Sequence, residues 1–102
     1  MNYTYGNHTD DRAVTMFAEM MRNKMAASRN KGRGGWDDPA ACSTGALAKM
    51  LIEHLMKGND GTFVDVANFA MMLHLRGADP TIMVHHFPSH IMVAPMIPDH
   101  SY

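Results

Sequence analysis

The sequence predicts an all-α protein: an antiparallel bundle of about three main helices, completed by oligomerisation, followed by an irregular or short-strand tail. Three observations carry this. Residues 9–30 place apolar side chains at three- and four-residue spacing. Residues 43–76 read as two further helices around a tight turn, Gly58-Asn59-Asp60-Gly61. Pro88, Pro95 and Pro98 exclude a long helix from the C-terminal stretch. At 102 residues the chain is sized for one domain, organised as a flexible N-terminus (1–8), a helical domain (9–77) and a tail (78–102).

The first helix starts near Thr9 or Asp10, either of which supplies a side-chain oxygen for an orphan amide of the first turn. Asp10 and Asp11 suit the positive end of the helix dipole. Val14, Phe17, Met21, Met25 and Ser28 form one stripe, and Arg12, Glu19, Arg22, Asn23, Lys24 and Arg29 fall largely elsewhere. Residues 31–42, KGRGGWDDPAAC, are a loop, because three glycines and Pro39 break any helix. Ser43 caps the second helix, whose buried side is Ala46, Leu47, Met50, Leu51, Leu55 and Met56, and Gly58 stops it. Asp60 is placed to cap the third helix, which runs to about Arg76 and ends at Gly77.

That third helix is apolar around most of its circumference, with Val64, Val66, Ala67, Phe69, Ala70, Met72 and Leu73. A helix of this kind is buried on several sides, which in a small chain calls for a homodimer or higher oligomer. In the tail, Asp79-Pro80 starts a turn, and the runs TIMV and HIMVAPMI suggest short strands or an arm wrapped on a neighbouring subunit.

Composition narrows the function. The net charge is -1, with nine Lys and Arg against ten Asp and Glu, which argues against nucleic acid or an anionic membrane as partner. A single cysteine, Cys42, forms no intrachain disulfide and suits a reducing compartment. With no signal-type segment or membrane-length apolar run, a cytoplasmic protein is expected. Methionine occurs 12 times, which suggests an adaptable core or contact surface.

Candidate chemistry centres on Glu53 and Asp65, which sit among apolar residues on successive helices at similar distances from the turn. Two such carboxylates can share Mg²⁺, which accepts one or two protein oxygens together with substrate phosphates. In the structural alternative Glu53 pairs with Lys57, and Asp65 with an amide or a basic side chain. Asp65 and Asn68 share a helix face and, if buried, both need partners. In the loop, Lys31 and Arg33 can take phosphate oxygens, and the lone Trp36 can stack on a base. Equally, Trp36 can fold back as a lid on the core while the basic groups stay solvated. His54 reads as a packed, hydrogen-bonded histidine. His85, His86 and His90 form a surface cluster without a fourth metal ligand nearby in sequence, and Arg76 suits the end of its helix.

The segments Lys31 to Trp36, Leu51 to Lys57 and Asp65 to Met72 (DVANFAMM) resemble the MazG-like branch of the all-α nucleoside triphosphate pyrophosphohydrolases, in particular short phage-encoded members. The resemblance spans about Phe17 to Gly77 and implies Mg²⁺-dependent hydrolysis of a nucleotide to monophosphate and pyrophosphate in a host cytoplasm. Glu53 matches the first acid of the family pattern and Asp65 the last. His54, Lys57 and Thr62 stand where three further acids belong. The expectation is therefore a nucleotide-handling protein with catalysis reduced or lost. Glu53 and Asp65 are its catalytic and metal-holding positions, and Lys31, Arg33, Trp36, Lys57 and Asn68 its nucleotide contacts. The alternative is a non-catalytic protein that acts through its oligomer or binds a host protein.

Overall fold

A computed structural model of the chain describes residues 8–87. Those residues are helical throughout their regular structure: α1 (Thr9–Asn30), α2 (Thr44–Lys57), α3 (Thr62–Leu75) and a short α4 (Ile82–His86). Residues 1–7 and 88–102 lie outside the described residues, and with them the expected flexible start, the HIMVAPMI run and His90. No described helix is long and apolar enough to cross a membrane.

The caps explain the boundaries. Ser43 Oγ accepts the Ala46 amide at 3.0 Å, as expected, and Gly58 ends α2 in the left-handed region at φ 63°. Two expected caps are displaced. At α1, His8 stands at the N-cap instead of Thr9 or Asp10, its Nδ1 accepting the Asp10 amide at 3.0 Å. At α3 no side chain caps the helix: Gly61 stands at the N-cap instead of Asp60, and the turn before it is held by Asn59. Its Oδ1 accepts the Gly61 amide at 3.0 Å, and its own amide donates to Thr62 Oγ1 at 3.0 Å. A side-chain amide two residues back reaches that N–H without strain, as in any Asx-turn. Both α1 and α3 end in the same way. Arg33 N bonds Ser28 O and Gly32 N bonds Arg29 O, while Ala78 N bonds Leu73 O and Gly77 N bonds His74 O. Gly32 and Gly77 take the required positive φ.

Of the two readings of the tail, short strands or an arm, the strand does not hold at TIMV, where residues 82–86 are helical. Asp79 Oδ1 accepts both the amide and the hydroxyl of Thr81, at 2.8 and 2.7 Å, and the turn so formed launches α4. A short apolar run does not distinguish strand from helix by its period. Here Ile82 and Met83 pack on the core of α2 and α3.

The core is small: Leu47, Ala48, Leu51 and Leu73, with Trp36, Met50, Val66, Phe69 and Met72 packed around it. α3 is the middle element. α2 lies against one side of it as an antiparallel hairpin partner, and α1 against another. Pairing of Met21 with Asn68 and of Lys24 with Asp65 shows α1 also running antiparallel to α3. α1 meets α3 alone among the described helices. A trough therefore opens between α1 and α2, with α3 as its floor and the 31–42 loop at one end.

Candidate functional site

The trough encloses about 930 Å³, within the range of small-molecule sites. Each element contributes one face. α3 presents Asp65, Asn68, Phe69 and Met72 at successive three- and four-residue steps. α2 presents Met50, His54 and Lys57, and α1 presents Lys24, Met25 and Ser28. The loop adds Lys31, Arg33, Gly34, Gly35 and Trp36. Gly35 is required here: its φ is 83°, and a Cβ would stand 3.1 Å from that of Ala41.

Six of the seven residues singled out from the sequence thus share one cavity: Lys31, Arg33, Trp36, Lys57, Asp65 and Asn68. Glu53 does not join them. It lies on the exposed side of α2, whose buried residues are Leu47, Ala48, Leu51 and Ile52, so the apolar surroundings expected for it are absent. Asp65 is partnered by a basic group: its Oδ1 lies 3.5 Å from Lys24 Nζ, with the carboxylate side chain only 16% exposed. No group of three or more His, Cys, Asp or Glu side chains is gathered among the described residues. Of the two expected carboxylates only Asp65 reaches the cavity, and an ammonium stands beside it.

The electrostatics run the other way from the whole chain. Lys24, Arg29, Lys31, Arg33 and Lys57 border the cavity against Asp37 and Asp65, in a protein of net charge -1. Positive charge is concentrated at this one concavity, which favours an anionic ligand.

Three polar groups hold the walls. Arg76 does not serve its own helix end as expected. Its Nη1 donates to the Trp36 carbonyl and, at 2.9 Å, to the Cys42 carbonyl, tying the loop to the end of α3. His54 is half-buried as expected; its Nδ1 lies 2.8 Å from the Met50 carbonyl and its ring 4.9 Å from that of Phe69. A carbonyl only accepts, so neutral His54 carries its proton on Nδ1. Asn68 donates from Nδ2 to the Met21 carbonyl at 3.3 Å.

Lys24 and Arg76 are site residues that sequence reasoning missed. Lys24 carried a signal: it lies three residues after Met21 and seven after Phe17, at the edge of the apolar stripe. Arg76 carried none, because its partners are main-chain carbonyls 40 and 34 residues away. No protein-family model, curated protein or solved structure matches the chain.

Proposed function

We propose that the chain binds a nucleotide in this trough, on a scaffold resembling the MazG-like pyrophosphohydrolases, with metal-dependent hydrolysis reduced or lost. The observation that carries the reading is the convergence of the basic loop, Trp36, Lys57 and Lys24 on one cavity from which Glu53 is excluded. Lys31, Arg33 and Lys57 take phosphate oxygens as charge-assisted donors. Trp36, Phe69 and the methionines offer the apolar and aromatic surface a base needs. Lys24 supplies a fixed positive charge beside Asp65, the position where the resemblance implies a metal.

A thermal-shift series with nucleoside mono-, di- and triphosphates, with and without Mg²⁺, tests this. Stabilisation that does not need Mg²⁺, without pyrophosphate release, is the expected result. Stabilisation only with Mg²⁺, together with release abolished by Glu53→Gln or Asp65→Asn, would restore the enzyme. No stabilisation by any nucleotide would defeat the reading.

Assembly into a homodimer or higher oligomer belongs to the same proposal. Val14, Met16 and Met20 on α1 and Phe63 on α3 are 57–79% exposed, large apolar side chains that a second copy would cover. If nucleotides fail, this surface favours an interaction protein instead.

A further inference from the structure

The two buried polar residues of the described chain are Thr62 and Asn68. Thr62 is satisfied, since its hydroxyl is bonded to both the amide and the side chain of Asn59. Asn68 is satisfied only on one side. Its Nδ2 donates to Met21 O, while Oδ1, in a residue 4% exposed, has no hydrogen-bond partner among the described residues. The bond to Met21 also fixes which way the amide faces. Turned over, it would set Oδ1 against the Met21 carbonyl oxygen, acceptor against acceptor. Asn68, a lining residue of the trough, therefore holds an unpaired acceptor at Oδ1, while one of the two Nδ2 hydrogens is committed to Met21.

The trough that Asn68 lines also carries Met25, Met50, Phe69 and Met72. Such surroundings suit a flat apolar ring carrying one hydrogen-bond donor. They do not suit phosphate, whose oxygens are themselves acceptors and find the basic loop and Lys57 elsewhere on the cavity. Oδ1 has almost no exposed surface, so a ligand reaches it by displacing a side chain. Methionines, unbranched and adaptable, make that displacement easy.

From this, and resting on the nucleotide reading, we infer that the trough selects nucleotides whose base carries an exocyclic amino group, with one amine N–H donated to Asn68 Oδ1. A ring carbonyl at the same point would face Oδ1 as a second acceptor. A base with no N–H donor at that point would leave Oδ1 buried and unpaired. Sites built around a specific hydrogen bond reject analogues that lack its partner.

Calorimetric titration of the full chain tests the inference with matched pairs. ATP is compared with purine riboside triphosphate, which lacks only the amine, and CTP with the triphosphate of pyrimidin-2-one riboside. The expected result is tighter binding of the amine-bearing member by about tenfold in at least one pair, in keeping with one buried hydrogen bond. Asn68→Leu is expected to erase the difference by weakening the amine-bearing ligand alone. Should that variant not fold, the wild-type pairs stand without it. Equal affinity within both pairs would overturn the inference while leaving nucleotide binding intact. A difference that survives Asn68→Leu in a folded protein would also overturn it, because another group would then read the amine. No binding by any of the four removes the inference together with the reading beneath it.

Discussion

Arg76 shows how much of the site hangs on single side chains. Its guanidinium satisfies the carbonyls of Trp36 and Cys42 at once. Arg76→Ala is expected to lower stability by about 1–3 kcal/mol, the usual cost of unpairing partly buried polar groups. Urea denaturation would measure that loss, and a red shift of Trp36 emission would report release of the loop. Leu47 is fully buried, and Leu47→Ala is expected to cost about 2–5 kcal/mol by the same denaturation experiment. At this scale the sequence was legible where residue type and local order sufficed to group side chains. Lys31, Arg33, Trp36 and Lys57 do reach one cavity. It was silent where a side chain meets distant main chain, as at Arg76, and misleading at Glu53, where proximity to apolar residues in the chain did not become burial in space.

Helix limits follow local chemistry, so the extents of α1, α2 and α3 were readable to within a residue or two from glycines, Ser43 and the apolar period. Ser43→Ala removes the side-chain acceptor of the Ala46 amide at the N-cap of α2 and is expected to cost about 1 kcal/mol, measurable as a lowered denaturation midpoint. The start of α4 was not readable, because the deciding interaction is a single Asp79–Thr81 turn. Donation from the Thr81 hydroxyl, and then from its amide, holds the Asp79 carboxyl below its ordinary value. The sign follows from linkage. A lowered folded pKa means stabilisation present above the unfolded value and lost as pH falls through the folded one. The turn before α4 is therefore expected to loosen in acid, below the ordinary carboxylate range, seen as a pH-dependent shift of the Thr81 amide resonance. Asp79→Asn keeps the acceptor without the charge and is expected to remove that dependence.

For the whole molecule, the relation of α1 to the rest decides both the site and the surface. A 22-residue α1, about 33 Å long at 1.5 Å per residue, lies against a 14-residue α3. The excess leaves Val14 and Met16 exposed, and the separation from α2 leaves the trough open. The antiparallel arrangement was predictable from helix count and turn length. The trough was not, because it depends on α1 and α2 failing to meet. If α1 carries the proposed self-association, Met16→Asp is expected to shift the sedimenting species toward monomer. An unchanged sedimentation profile would place the contact elsewhere. On the proposed function, this basic, aromatic cavity takes a nucleotide without help from a metal. Trp36, the chain's single tryptophan, lies in its wall, so its emission can be followed directly during titration with nucleoside triphosphates in the presence of EDTA. A saturable change in emission, weakened roughly tenfold by Lys57→Gln through loss of a charge-assisted bond, is the predicted result. Emission that no nucleotide alters, with EDTA or with Mg²⁺, would contradict the account.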